Sequence, residues 1–298
     1  MDRMIIRSGM KQYLKLMRVS HYIKNSIIFI PLVFSGNLFH RELSAISVYG
    51  FFIFCFLSSV IYIMNDLSDV ERDRQHPTKR SRPIASGAIS ERRAVIVAVM
   101  LITLAALGQM ILLSNQKVPL ISGMLLLFYF LLNLFYSRGG KNVAILDIVI
   151  LAMGYMIRVF YGACIIEVKV SVWLYLTVLT GSFYLGLGKR RNEITRLKSG
   201  STRAVLKCYT YDFLDKCMYL CIALAVNFYA LWSIQTDHKG MIWTVPLVII
   251  MIMKYSLQIE KKESEGNPVD VMIHDKVMCG LGVFYTAAVV AIIYFGGT

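Results

Sequence analysis

Ile121-Ser122-Gly123-Met124-Leu125-Leu126-Leu127-Phe128-Tyr129-Phe130-Leu131-Leu132-Asn133-Leu134-Phe135-Tyr136 runs without a single charge, and Val283 to Phe295 repeats the pattern. Neither run alternates apolar with polar residues, so neither reads as a strand of an outer-membrane barrel. Both are long enough to be most of a membrane-spanning helix, which needs roughly 20 apolar residues. The composition extends this reading to the whole chain. Of 298 residues, 57% are hydrophobic and 17% charged, where a soluble domain has about 45–50% and 25%. Such runs cannot all hide in one soluble core. The sequence predicts an all-α, polytopic membrane protein and excludes a disordered chain, a secreted disulfide scaffold and a soluble DNA-binding protein. The six cysteines lie mostly in or beside apolar runs without metal-ligand spacing, and read as packing residues.

Apolar runs between charged breaks give nine candidate spans, at about 22–39, 44–64, 91–113, 118–136, 143–166, 170–188, 213–235, 241–259 and 277–296. Nine spans would take about 180 residues and leave no room for a large soluble domain, so residues 22–298 form one transmembrane unit. The net charge of +14 is spread among the spans and fits topology and anionic ligands, not nucleic acid. Segments 1–24, 65–93, 137–142, 189–212 and 260–276 carry 25 Lys and Arg residues, against Arg41, Lys117, Lys169 and Lys239 in the opposite loops. The positive-inside rule therefore places the N-terminus in the cytoplasm and the C-terminus outside, in a cell (inner or plasma) membrane. No secretory signal is read at the N-terminus, which lacks a continuous apolar core and a cleavage site. In residues 1–21, Arg3, Arg7, Lys11, Lys15 and Arg18 recur every three or four positions beside an apolar stripe. This is either an interfacial helix on anionic membrane lipids or a solvated basic arm.

The chemistry is expected in the long loops predicted to be cytoplasmic. Asn65-Asp66-Leu67-Ser68-Asp69-Val70-Glu71-Arg72-Asp73 places three aspartates at i, i+3 and i+7, within roughly 60° of one face if the helix of the second span continues. Three carboxylates on one face repel each other unless a cation sits between them, and Mg2+ suits few protein ligands plus substrate phosphate oxygens. Beside a membrane span such charge tends to be functional. Then follows His76-Pro77-Thr78-Lys79-Arg80-Ser81-Arg82-Pro83-Ile84-Ala85-Ser86-Gly87. Pro77 stops the helix, and Pro83 with Gly87 shapes a return loop that brings Lys79, Arg80 and Arg82 near the carboxylates. Acidic ligands beside basic phosphate clamps make a metal–diphosphate site. His76 beside Pro77 reads as structural.

These two stretches resemble the UbiA superfamily of intramembrane prenyltransferases, whose first motif is Asn-Asp-x-x-Asp-x-x-x-Asp followed by Arg-Pro-x-x-Ser-Gly; Asn65–Asp73 and Arg82–Gly87 match both. The resemblance covers essentially the whole chain and implies nine helices around a central cavity, open laterally to lipid and capped by cytoplasmic loops. It implies Asp66, Asp69 and Asp73 as metal ligands for Mg2+, with Mn2+ as the other candidate.

The family runs two reactions: transfer of a prenyl group to an aromatic or quinone acceptor, and transfer of 5-phosphoribosyl from phosphoribosyl diphosphate to polyprenyl phosphate. No second aspartate cluster follows the fourth span, where residues 136–147 hold Tyr136, Lys141 and the lone Asp147. The pattern Tyr136-Ser137…Lys141-x-Val143-x-x-x-Asp147, continuing to Gly154 and Arg158, is similar to the phosphoribosyltransferase branch. So are Arg18…Lys24-Asn25 and Gly188-Lys189-Arg190-Arg191-x-Glu193. The resemblance implies Asp147 beside the three aspartates in catalysis, and Lys24, Asn25, Asn65, Lys79, Arg80, Arg82, Tyr136, Lys141, Arg158, Lys189, Arg190 and Arg191 in substrate binding. Gathering a diphosphate, a 5-phosphate and a lipid phosphate needs surplus cations, although topology alone enriches most of these. Arg158 is the exception, because an unpaired Arg inside a span costs roughly 2.5–3.5 kcal/mol. Eleven residues, or about 16 Å of helix, separate it from Asp147, so a ligand phosphate or a carboxylate on another helix is its expected partner. Lys254, one turn from a span end, is expected to snorkel to the interface. Pro268 to Lys276 also resembles a family loop, without an assigned role. A transporter or flippase would instead place charges mid-span and interrupt its helices, and the sequence leaves a homo-oligomer open.

Overall fold

The computed structural model describes residues 2–115, 117–196, 204–260 and 275–296, and the described residues contain helices, turns and no strand. The helices are α1 (Asp2–Leu16), α2 (Ile30–Phe34, continuing a 3-10 helix Val19–Phe29), α3 (Arg41–Ser68), α4 (Val70–Gln75), α5 (Glu91–Ser114), α6 (Ile121–Arg138), α7 (Leu146–Ile165), α8 (Val172–Arg196), α9 (Tyr211–Gln235), α10 (Val245–Ile259) and α11 (Lys276–Phe295).

Among the described residues, seven helical segments are long and apolar enough to cross a membrane: α3, α5, α6, α7, α9, α10 with the turn before it (Lys239–Ile259), and α11. The two other expected segments fall on Val19–Phe34, which is a shorter apolar helix, and on the 25-residue α8. Local chemistry sets the ends. Ser90 caps α5 by accepting from the Arg93 N–H at 3.4 Å, with Glu91 in its first turn, and Asp275 caps α11 by accepting from the Met278 N–H at 2.9 Å.

Burial explains the composition. Along α5, Ile96, Val99, Met100, Leu107 and Met110 are each more than half exposed, at helical spacing on one face. A soluble protein does not leave so continuous an apolar face bare; here it meets lipid. The opposite faces of α3, α6 and α7 enclose Phe54, Leu57, Leu126, Tyr129, Ile157 and Tyr161 in one apolar cluster. A second cluster, with Leu187, Leu206, Leu214, Met218 and Ile259, joins α8, α9 and α10 at their adjoining ends. Gly162 on α7 lies directly against the Ile28 backbone, where any side chain would collide. That contact seats the first, partly 3-10 segment against the bundle.

The basic N-terminal segment is helical. Leu16 is fully buried, and Tyr13 and Met17 pack with it against Val60 and Ile63 of α3 and Ala94 and Ala98 of α5. The end of this helix thus packs its apolar residues on the bundle. The turn 82–89 also forms as expected, with Ser86 N–H donating to Arg82 O, Ile89 N–H donating to Pro83 O, and Gly87 at φ +76°. Lys254, expected to snorkel, reaches Asp275 at 3.1 Å. Residues 268–274 of the family-like loop lie outside the described residues.

Candidate active site

The aspartates do not share one continuous helix. α3 ends at Ser68 and α4 starts at Val70, with Asp69 at φ −106°, ψ 12° between them. Asn65, Asp66, Ser68 and Asp69 all have short polar side chains that compete with the helical backbone, and the chain turns here. The break has a geometric consequence. Seven residues span about 10 Å of unbroken helix, yet Arg82 Nη1 lies 2.9 Å from Asp66 Oδ1 and 2.6 Å from Asp73 Oδ2. One nitrogen thus bridges two carboxylates whose side chains are each 4% exposed.

Asp66 Oδ1 also receives Arg18 Nη2 at 2.5 Å. Arg18 sits between α1 and the following 3-10 helix in the left-handed region (φ 52°, ψ 48°), with its guanidinium 4.7 Å from the centre of the Tyr62 ring. A non-glycine residue held there is strained, and the ion pair with the ring contact holds it. Lys15 supports the same junction by donating to Ser81 O at 2.9 Å. Arg18 enters the sequence as one of a periodic basic stripe and within a family-like pattern; its pairing with Asp66 depends on the αL turn, which local sequence does not signal.

Asp69 turns away from the other two carboxylates, toward Lys141 at 3.6 Å and the exposed Arg72 at 3.4 Å. The structure therefore gathers two aspartates, not three, and among the described residues no three His, Cys, Asp or Glu side chains are grouped as a metal cluster. The remaining pair nevertheless suits a cation, since both carboxylates already converge on one positive nitrogen. Asn65 accepts from Ser137 Oγ at 2.5 Å, tying the end of α6 to the aspartate elbow. Lys79 and Arg80 are exposed on the turn after α4, and His76 Nδ1 accepts from the Thr78 N–H at 3.3 Å in a local turn. Lys24 and Lys189 are partly buried.

Two further polar groups lie deeper. Asp147, fully buried at the start of α7, accepts from Arg190 Nε at 2.5 Å and from the Tyr209 hydroxyl at 2.7 Å. Arg190, equally buried, also donates to Glu193 at 2.7 Å and to the Tyr136 hydroxyl at 3.0 Å. Asp147, expected in catalysis, and Arg190, expected in substrate binding, form an ion-pair network joining α6, α7 and α8. Arg191 departs from expectation for a helical reason. Neighbouring residues point about 100° apart, so while Arg190 faces Asp147, Arg191 faces α9, pairing with Asp215 and lying 5.4 Å from the Tyr211 ring centre.

Arg158 is 6% exposed within the bundle. Its guanidinium donates to Asn25 Oδ1 at 2.8 Å, to Gly154 O at 2.6 Å and to the Tyr129 hydroxyl at 2.8 Å. The rings of Phe54 and Tyr129 face it at 5.0 and 4.9 Å. All of these partners are neutral, so the carboxylate expected on another helix is not among its described contacts. Asp147 is paired elsewhere, as the helical spacing required. Sequence spacing gave no sign of Tyr129, Tyr209 or Asp215, which reach their partners only across the packed bundle.

Comparison with known proteins places this geometry. The chain is 30% identical to the decaprenyl-phosphate phosphoribosyltransferase of Mycobacterium tuberculosis (strain CDC 1551 / Oshkosh), over 95% of this chain and 94% of that one. It is also 30% identical to the Corynebacterium glutamicum protein of the same name, over 94% and 86%. In fold it is similar to a UbiA homolog from Archaeoglobus fulgidus solved with GPP and Mg2+, with a TM-score of 0.69, 17% identity and 95% and 99% of the two chains covered. The profile of the UbiA prenyltransferase family matches residues 29–272. Aspartate elbow, Arg-Pro turn and helical bundle thus have one common explanation: this integral membrane protein belongs to the UbiA prenyltransferase family.

Proposed function

We propose that the protein transfers 5-phosphoribosyl from phosphoribosyl diphosphate to a polyprenyl phosphate, releasing diphosphate. The observation that carries this reading is the near full-length similarity to decaprenyl-phosphate phosphoribosyltransferases. The site supports it. Asp66, Asp69 and Asp73 are matched by Arg18, Arg82 and Lys141, so a ligand bringing several phosphates can exchange for the carboxylates as partners of these cations. Asp66 and Asp73 would hold a divalent ion, Mg2+ before Mn2+, which when bound neutralises the departing diphosphate.

The protein's own groups do the rest. Arg82 and Arg18 turn from carboxylate to phosphate, joined by Lys141 beside Asp69; Lys79, Arg80, Lys24 and Lys189 are assigned to the remaining phosphate charge. C1 of the ribose develops oxocarbenium character as the C1–O bond to diphosphate breaks. The lipid phosphate oxygen attacks the opposite face and inverts the anomeric centre. This acceptor is already an anion at neutral pH, so no proton acceptor is required. Arg158, whose hydrogen-bond partners are all neutral, offers a cation inside the bundle that attracts an acceptor anion. Asp147 and Arg190 act as positioning residues. The loops on the cytoplasmic side hold the site, α1 lies on anionic lipid, and the product supplies a lipid-linked pentose for cell-envelope glycans.

The test is a competition of donors. Purified protein with Mg2+ receives labelled phosphoribosyl diphosphate and polyprenyl phosphate, or labelled prenyl diphosphate with aromatic acceptors. Label entering lipid from the first pair alone supports the proposal, and transfer from the second alone replaces it with aromatic prenyl transfer.

A further inference from the structure

The link between α6 and α7 carries Lys141 to Asp69, and its far end is held in a costly conformation. Gly140–Asn142 form one 3-10 turn, after which Ile145 adopts φ 67°, ψ −48° before α7 begins. A β-branched residue at positive φ is an outlier that its surroundings must enforce. The enforcing contact is visible. The Ile145 N–H donates to the Tyr209 hydroxyl at 2.5 Å, and that hydroxyl donates to Asp147 Oδ1 at 2.7 Å. Its donor and an acceptor site are both used on the strained turn. Burial, and then the bond to Asp147, push the Tyr209 phenol up to about 12, so it remains a donor throughout the working pH range. Asp147 is in turn fixed by Arg190, which also binds Tyr136 at the end of α6. The link is thus clasped at both ends from behind, while its front faces the aspartate elbow through Lys141–Asp69 and Ser137–Asn65.

We infer that Tyr209 is a positioning residue for the donor site: its hydroxyl holds Ile145 left-handed and so sets the link 139–145, with Lys141, over the aspartate elbow. This rests on the phosphoribosyl-transfer reading for its kinetic consequence but not for its structural one. Tyr209 follows the short helix Ala204–Cys208, so the segment between α8 and α9 governs a lysine delivered by a different loop.

Tyr209→Phe removes only the hydroxyl, and the ring keeps its stacking on Phe213 at 6.3 Å. Losing the bonds to a half-buried amide and a buried carboxylate is expected to raise the KM for phosphoribosyl diphosphate about tenfold. The KM for the lipid phosphate should change little, which a general structural defect would not allow. Glycine takes φ 67° without penalty, so Tyr209→Phe/Ile145→Gly should recover most of the lost donor affinity, and Ile145→Gly alone should resemble wild type. Hydrogen exchange at the Ile145 amide supplies a readout independent of turnover and should quicken about tenfold in Tyr209→Phe. An unchanged donor KM, unchanged exchange, or further loss in the double variant overturns the inference. Should wild-type protein move no phosphoribosyl, the functional reading fails; faster exchange then still upholds the clasp, and unchanged exchange refutes it.

Discussion

Arg82→Ala removes the nitrogen that bridges Asp66 and Asp73, at 2.9 and 2.6 Å. Asp66 keeps Arg18, whereas Asp73 keeps no ion-pair partner among the described residues. Breaking a wholly buried pair costs about 3–5 kcal/mol, and a fully exposed pair about 0–1 kcal/mol. With Arg82 28% exposed and both carboxylates buried, about 1–3 kcal/mol is expected by interpolation. For a chain of this size that lowers the unfolding midpoint by about 2–5 °C, measured in detergent with EDTA. The same vacancy favours a divalent cation. At one hundred times its dissociation constant, bound Mg2+ returns about 2.7 kcal/mol, so Mg2+ should restore most of the variant's midpoint. Wild type, whose carboxylates already hold Arg82, should respond less. Transfer activity should stay low even with Mg2+, because the phosphate clamp is gone. Equal midpoints in EDTA, or an equal Mg2+ response in both proteins, would refute the placing of a metal between these two aspartates.

Other substitutions separate the polar groups. Asp66→Asn and Asp73→Asn should each abolish transfer in folded, membrane-inserted protein, checked by turnover beside size-exclusion profiles; full activity in both would remove them from the site. Asp147→Asn leaves a buried Arg190 with one formal partner fewer, so it should destabilise by about 3–5 kcal/mol, read as a lowered thermal midpoint and yield. Arg158→Lys cannot reproduce three directed donations to Asn25, Gly154 and Tyr129. Activity should therefore fall nearly as far as in Arg158→Ala, and wild-type rates in the lysine variant would show that charge alone suffices. Gly162→Ala forces a methyl into the Ile28 backbone and should cost about 1–3 kcal/mol, visible in thermal unfolding.

Much of the architecture is legible because membrane burial is written in composition. Long uncharged runs mark the helices, and the skew of Lys and Arg marks the side predicted to face the cytoplasm. The site is legible through Asn65–Asp73 and Arg82–Gly87, where acidic and basic groups are close in sequence and a proline–glycine turn folds one onto the other. What periodicity could not give is the break at Asp69, because a short polar run permits either a continued helix or a turn, and packing decides. Nor does charge reveal which cations are already spent. Arg190 and Arg191 look like phosphate ligands beside Lys189, but each meets a carboxylate from a distant part of the chain, Asp147 and Asp215. The clasp at Ile145 is equally silent, since no local signal announces a left-handed isoleucine.

The site built on Asp66 and Asp73 is expected to join a phosphoribosyl group to a lipid phosphate. Mass spectrometry of the lipid fraction tests it most directly, after incubating purified protein with phosphoribosyl diphosphate, Mg2+ and a polyprenyl phosphate. The expected product is a lipid heavier by one phosphoribosyl group, absent with EDTA and absent with Asp66→Asn. Unmodified lipid beside an active mycobacterial phosphoribosyltransferase control, or the same product from Asp66→Asn, would contradict it.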